Sequence, residues 1–200
     1  MLRAARLLLL GGALLALAAM PADATGPVRA RLFRRNTNGG VTRSVGAAAR
    51  GPQGGAAVKG HSLSTNGQST ATRTDTGKAI GPNGGTASRQ STTTLSNSGS
   101  ASHHGTDSVT GPNGGTITRQ GSTSVSNGTA SHQGSISATG PNGGSVKSAG
   151  TAANGTATRT TQVTGPSGNS YSGSTTATRD AGAQHTATCK NASGAVIPCK

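Results

Sequence analysis

The sequence has very few of the side chains from which protein cores and active sites are usually built. Its 200 residues include no Trp, no Glu, one Tyr, one Phe and two Cys. Residues 25–200 hold only 18 large apolar side chains, because most of their other hydrophobic residues are Ala. So few large apolar groups exclude a conventional globular core. The scarcity of carboxylates also leaves almost no material for catalysis by paired acidic groups.

Motifs for catalysis, cofactors and metals are missing as well. The serines lie in repeats rather than in a Gly-x-Ser-x-Gly turn between a strand and a helix. Two Cys with scattered His do not match the ligand spacing of closed zinc sites, and the Gly-Gly turns lack the Asp that would bind calcium. We therefore expect a protein that is not an enzyme and that has no cofactor and no metal.

Residues 1–24 are organised like a secretory signal peptide. Arg3 and Arg6 precede the apolar run Leu7–Met20, which is followed by small residues up to Ala24. The 14 residues of this run are fewer than the roughly 20 that a membrane-spanning helix needs, although an uncleaved anchor is the alternative. Cleavage after Ala24 would give a secreted, extracellular or periplasmic protein, with no membrane span in the mature chain.

Three parts follow the signal. Residues 25–50 are rich in Arg, residues 51–180 are repetitive, and residues 181–200 form a tail that contains both cysteines. Cys189 and Cys199 are predicted to form a disulfide, because exported proteins fold in oxidising compartments. The formal net charge is +14, so the chain is strongly basic and suited to anionic partners.

Turn motifs recur throughout the repetitive part. A turn of the form Gly-Pro-Asn-Gly-Gly, or a close variant, begins at Gly51, Gly81, Gly111, Gly140 and Gly165. Shorter turns lie between these blocks, at Asn66-Gly67, Asn97-Ser98-Gly99, Asn127-Gly128 and Asn154-Gly155. Both motifs favour the positive φ angles and fixed Pro geometry of tight hairpin turns.

The segments between the turns alternate with a period of two. In Thr116–Ser126 the even positions are hydroxylic apart from Gln120, while the odd positions are mostly small or aliphatic and include Arg119. The same separation holds in Ser100–Thr110, Thr129–Thr139, Thr156–Thr164 and Ser170–Thr178. Alternation indicates β-strands of about ten residues. We predict an all-β fold, either a repetitive antiparallel meander or a β-solenoid; substantial disorder is the compositional alternative.

One basic residue per segment occupies equivalent positions in the repeats. These residues are Arg73, Arg89, Arg119, Arg159 and Arg179, with His103 and His132 at matching places. Strands stacked in register would place them in a basic row that could bind polysaccharide, nucleic acid or another polyanion. The alternative is that they only keep the strands soluble. Specific nucleic-acid recognition is not expected, since Phe33 and Tyr171 are the only aromatic side chains for base stacking.

A signal-like segment followed by short Gly, Asn, Ser and Thr repeats resembles the layout of secreted bacterial repeat proteins, which include curlins and other functional amyloid subunits. The resemblance covers layout only, because Gln is sparse here and the turn spacing varies from 12 to 17 residues. It implies an exported structural protein that self-associates, by edge-to-edge stacking, into a fibre or matrix. The alternative function is a module that binds anionic polymers through its Arg residues, or ice through its hydroxyl-bearing face.

Overall fold

Tight turns at regular intervals divide the chain into short strands. The computed structural model describes residues 27–199, which contain thirteen strands and no helix, so the predicted signal peptide lies outside the described residues. None of these residues forms a helix of the length and hydropathy needed to span a bilayer. The strands are β1 (Val28–Arg35), β2 (Val41–Arg50), β3 (Ala56–Thr65), β4 (Thr70–Ile80), β5 (Thr86–Ser96), β6 (Ala101–Thr110), β7 (Thr116–Ser126), β8 (Thr129–Thr139), β9 (Ser145–Ala153), β10 (Thr156–Thr164), β11 (Ser170–Thr178), β12 (Gly182–Lys190) and β13 (Val196–Ile197).

The chain consists of two compact units, and the boundary between them lies between Ala101 and Ser102. In the first unit, β1 to β5 pair in chain order, each antiparallel to the next. In the second unit, β7 to β13 pair in the same manner. The predicted all-β fold is confirmed, and antiparallel pairing of consecutive strands identifies the meander rather than the solenoid.

The two turn motifs form two kinds of hairpin. In the Pro-containing turn, the N–H of Gly84 donates to the carbonyl of Gly81 at 3.1 Å. Gly84 has a φ of 81°, so the loop is a type I turn followed by a left-handed residue. At the shorter turn, Asn127 and Gly128 have φ angles of 49° and 74°, which a type I′ hairpin requires.

The turn at Asn66 departs from the predicted pattern. It spans four residues rather than two, since β3 ends at Thr65 and β4 begins at Thr70. The Asn66 side-chain oxygen accepts hydrogen bonds from the backbone N–H groups of three residues, which are Gln68, Ser69 and Thr70. These hydrogen bonds hold a four-residue loop in place of a two-residue turn. An Asn-Gly pair therefore does not by itself determine the length of the loop.

The meander extends beyond the predicted repeat region on both sides. β1 and β2 lie in the Arg-rich segment, and β12 and β13 lie in the C-terminal tail. β1 and β13 lack the hydroxyl alternation of the repeats and β2 shows it only at Thr42 and Ser44, whereas β12 continues it at Thr186 and Thr188. Cys189 and Cys199, the predicted pair, are joined by a disulfide with a Cα–Cα distance of 5.3 Å.

Each unit is a single layer of strands without a conventional core. The extensive contacts within a unit are between consecutive strands. Among the described residues, the only buried hydrophobic residue is Ala48, whereas Phe33 is 70% exposed. Stability therefore depends on backbone pairing and on cross-strand side-chain contacts within one sheet. Both faces of each unit's sheet are left largely uncovered by the unit's own strands.

Candidate functional site

The strand register places most of the charged residues of the first unit on one face. Each cross-strand pair joins two odd-numbered or two even-numbered residues, so all odd-numbered residues of β1 to β5 share a face. We call this the basic face. Seven cations lie on it, all exposed: Arg29, Arg31, Arg35, Arg43, Lys59, Arg73 and Arg89. The opposite face of the same strands carries three, which are Arg34, Arg50 and Lys78.

Cations and apolar groups alternate along the basic face. One cross-strand row runs through Phe33, Arg43, Leu63, Arg73 and Thr93. Residues directly opposite each other in such a row have Cβ atoms about 4.5–5.5 Å apart. The row therefore presents guanidinium groups beside exposed apolar side chains, an arrangement suited to polymers that carry both anionic groups and apolar surfaces.

One carboxylate lies within this basic surface. Asp75 accepts hydrogen bonds from Nε and Nη2 of Arg73, at 2.8 and 3.1 Å, and its Oδ1 lies 2.8 Å from Nδ1 of His61. The hydrogen bonds from Arg73 hold the pKa of the Asp75 carboxyl below its ordinary value, although partial burial opposes the shift. The same contacts raise the pKa of Arg73. Asp75 therefore neutralises part of the basic face while remaining ionised.

The His61–Asp75 pair was not predicted from the sequence. The two residues are separated by 14 positions and meet only through the register of β3 and β4. Ser91 follows Asp75 in the same row, which places it two strand spacings, about 10 Å, from His61. That separation is too large for the imidazole to activate the hydroxyl. The pair fits an electrostatic role in the sheet.

The five predicted basic residues do not form one row. Arg73 and Arg89 share the basic face, but Arg73 lies opposite Thr93 whereas Arg89 lies opposite Gly77. In the second unit, the row of Arg119 passes through Ile136 and Ser148 and misses Arg159. The four of these arginines that lie in strands are each the fourth residue of their strand, whereas Arg179 follows β11. Consecutive antiparallel strands run in opposite directions, so equivalent positions fall at opposite ends.

The remaining candidates lie in different settings. Arg159 donates from Nε to the hydroxyl of Ser148 at 3.1 Å. Arg179 lies in the turn after β11, where its backbone N–H donates to the carbonyl of Gly155 at 3.0 Å. The Nδ1 atom of His132 lies 2.8 Å from the hydroxyl of Thr123. His103 lies in β6. Positive charge is thus greater in the first unit, which contains the Arg-rich segment noted in the sequence, than in the second.

A hydroxyl face dominates the second unit. Across the two-residue turns at Asn127 and Asn154, even-numbered residues pair with odd-numbered ones. One face of this unit therefore carries the even-numbered residues of β7, the odd-numbered residues of β8 and β9, and the even-numbered residues of β10 to β12. We call this the hydroxyl face. Its groups hydrogen-bond across strands, as Ser124 does with Ser131 at 2.7 Å and Thr151 with Thr158 at 2.9 Å.

The opposite side of the second unit is a small-residue face. One of its cross-strand rows is apolar and consists of Ile117, Ala138, Val146, Val163, Tyr171, Cys189 and Ile197. Ile117 is 48% exposed, so this row contacts solvent. A continuous row of apolar side chains on an uncovered sheet is a surface on which another layer could pack.

Comparisons of the chain with models of protein families, with curated proteins and with solved structures gave no match. In the described part of the chain, no group of three or more His, Cys, Asp or Glu residues is arranged to hold a metal ion. The faces and edges of each unit's sheet are therefore the features from which a function can be inferred.

Proposed function

We propose that this is an exported structural repeat protein whose copies associate into a fibre or matrix. The observation that carries the proposal is the single-layer construction of each unit, with Ala48 as the only buried hydrophobic residue among those described. Stable β domains bury one sheet face against a second layer. A second copy can supply that layer through the small-residue face, whose apolar row is already continuous, and further copies can add through the sheet faces that remain uncovered.

The strand edges favour association through faces rather than edge-to-edge stacking. β1 carries four Arg residues, and β13 pairs over only two residues. Like charges directly opposite each other destabilise strand pairing, and short edge strands limit it. Edge-to-edge stacking of identical copies is therefore less favourable than packing of their apolar rows.

The test is whether the purified protein associates and gains β-structure over time. Sedimentation velocity, circular dichroism and thioflavin fluorescence should report β-rich assemblies that grow with protein concentration. Fibre diffraction should then give a strand spacing of about 4.8 Å and a sheet spacing of about 10 Å. A chain that stays monomeric and coil-like for days at high concentration would contradict the proposal.

A second candidate function is the binding of anionic polymers, supported by the concentration of seven cations on the basic face of the first unit. Phosphate, sulfate or carboxylate groups would be held by Arg and Lys contacts that weaken as salt rises. The proposed binding requires no base recognition and no aromatic stacking.

Two variants with the same loss of charge separate the faces. The first replaces Arg31, Arg43 and Lys59 on the basic face with Gln. The second replaces Arg34, Arg50 and Lys78 on the opposite face. On a sulfated-polysaccharide column, the first should elute at markedly lower salt, while the second should elute close to the unchanged protein. Equal shifts for the two variants would show that net charge alone determines retention and would reject a site on the basic face.

A further inference from the structure

Within residues 27–199, the first unit ends in an edge strand, β1. β1 is eight residues long, and all eight are exposed. It pairs with β2 along one side, and no other strand among the described residues lies along its second side. An exposed edge strand presents unpaired N–H and C=O groups to any extended chain. β1 is therefore long enough to accept a further strand.

The last strand of the second unit is protected in ways that β1 is not. β13 pairs with β12 over two residues, and Pro198 follows it without a backbone N–H. Its C-terminal end is tied to β12 by the disulfide between Cys189 and Cys199. Short length, Pro and a covalent tie all limit strand addition. Pro27 likewise precedes β1, but all eight residues of β1 keep a backbone N–H, so charge is its main protection.

The charge of β1 selects the partner. Arg29, Arg31, Arg34 and Arg35 lie in this strand, which has no carboxylate. A second copy of β1 would place cations beside cations and weaken the pairing, whereas an acidic strand would place carboxylates opposite Arg. The charge pattern therefore disfavours β1 of another copy and favours an acidic extended segment.

We propose that β1 is a β-augmentation site for an extended acidic segment of a partner protein. Backbone hydrogen bonds along the edge would supply affinity, and side chains opposite the arginines would supply specificity. Phe33 and Leu32 are 70% and 50% exposed, so apolar side chains on the partner can pack against them. The interaction combines cross-strand ion pairs with apolar contacts on both faces.

The sequence of β1 predicts the pattern of its partner. An antiparallel partner, written from its N-terminus, would carry acidic residues opposite Arg35 and Arg34 and apolar residues opposite Phe33 and Leu32. It would continue with acidic, small, acidic and apolar residues along the rest of β1. A peptide of sequence Glu-Glu-Val-Val-Glu-Ala-Glu-Val has this pattern and is the probe for the site.

The experiment titrates the labelled probe peptide into the full chain at low salt and follows fluorescence anisotropy, with amide hydrogen exchange of β1 as a second readout. Saturable binding with one site per chain is expected, together with slower exchange of β1 amides. A control peptide has Pro in place of both central Val residues, which preserves its charge but removes the capacity to form a strand. Equal binding of the two peptides would overturn the proposal, because charge alone would then explain it.

Matched variants locate the site on the protein. Replacing Arg29, Arg31 and Arg35 with Gln should weaken binding of the probe by about tenfold or more, since three opposed ion pairs are lost. Replacing Arg50, Lys59 and Lys78 removes the same charge from other strands and should change affinity by less than about twofold. No detectable binding by the unchanged chain, equal losses in both variants, or unaltered exchange of β1 amides would each refute a strand-addition site.

Discussion

Single glycines determine how closely neighbouring strands approach in the second unit. Gly121, Gly134 and Gly150 lie opposite one another in a row of the small-residue face. A Cβ on Gly150 would lie 2.9 Å from the backbone carbonyl oxygen of Thr158. At Gly121, the nearest atom would be the carbonyl oxygen of Gln133 at 3.4 Å, which is an ordinary contact. The two positions therefore tolerate a methyl group differently.

This difference gives a prediction for a matched pair of variants. Gly150→Ala should lower the free energy of unfolding by about 1–3 kcal/mol, because the strand backbones must shift. Gly121→Ala should leave it unchanged or raise it by up to about 1 kcal/mol, because Ala restricts the unfolded chain. Urea unfolding followed by circular dichroism measures both. Equal destabilisation by the two substitutions would contradict the close approach at Gly150.

Asp75 should make the stability of the first unit sensitive to acid. Its pKa in the folded chain lies below its ordinary value of 3.8, chiefly because of the hydrogen bonds from Arg73. The stabilisation is therefore fully present above about pH 3.8 and is lost as the pH falls through the lower, folded-state pKa. Asp75→Asn should show a smaller drop in melting temperature between neutral pH and pH values below that point.

Thermal melts of the two proteins across this range test the prediction. Asp107 and Asp180 are present in both, so their contribution cancels in the comparison. Asp107→Asn is the matched control and should retain the acid-dependent drop attributed to Asp75. Parallel curves for the unchanged chain and Asp75→Asn would mean that the ion pair adds nothing measurable, as many exposed pairs do.

At the scale of the strand, sequence information was sufficient wherever hydroxyl alternation and turn chemistry agreed. The predicted segments Thr116–Ser126, Thr129–Thr139, Thr156–Thr164 and Ser170–Thr178 coincide with β7, β8, β10 and β11. Each is determined locally, by a period of two between residues that favour tight turns. β1 was missed because Arg occurs on both of its faces, which obscures the alternation.

The candidate site could not be predicted in the same way, because it depends on register between strands. His61 meets Asp75 only because the Asn66 loop has four residues, and a loop one residue shorter or longer would place them on opposite faces. The prediction of a basic row was wrong for a related reason, because it assumed that equivalent positions of successive repeats lie side by side. That assumption holds for parallel coils and not for a meander.

The C-terminal element has little pairing of its own and is tied to β12 by a disulfide. β13 has two residues paired with β12, and the Cys189–Cys199 bond closes a short loop around it. Cys199→Ser should therefore release β13 and speed amide exchange at Val196 and Ile197. Exchange in β7 to β11 should be nearly unchanged, because these strands make their pairings independently of the tail. Hydrogen exchange with mass spectrometry measures both regions.

Two further results complete this prediction. Mild reduction of the unchanged protein should reproduce the pattern seen in Cys199→Ser. Faster amide exchange across β7 to β11 would instead show that the disulfide stabilises the whole second unit, as disulfides do in small domains that lack a core.

At the scale of the whole molecule, the proposed self-association predicts that stability depends on protein concentration. If a second copy covers the small-residue face, association binds the folded state and not the unfolded one, which raises the melting temperature as concentration rises. An increase of about a hundredfold in concentration should raise it by about 5 °C or more. Val146→Lys places a charge in the exposed apolar row and should abolish this dependence.

The control variant for this experiment is Gln133→Lys, which adds the same charge to the hydroxyl face of the second unit. It should keep the concentration dependence, because the apolar row on the other face is intact. A melting temperature that does not change with concentration in the unchanged protein would mean that the single layer is stable alone. Equal loss of the dependence in both variants would place association elsewhere than on the apolar row, because added charge alone would then explain the effect.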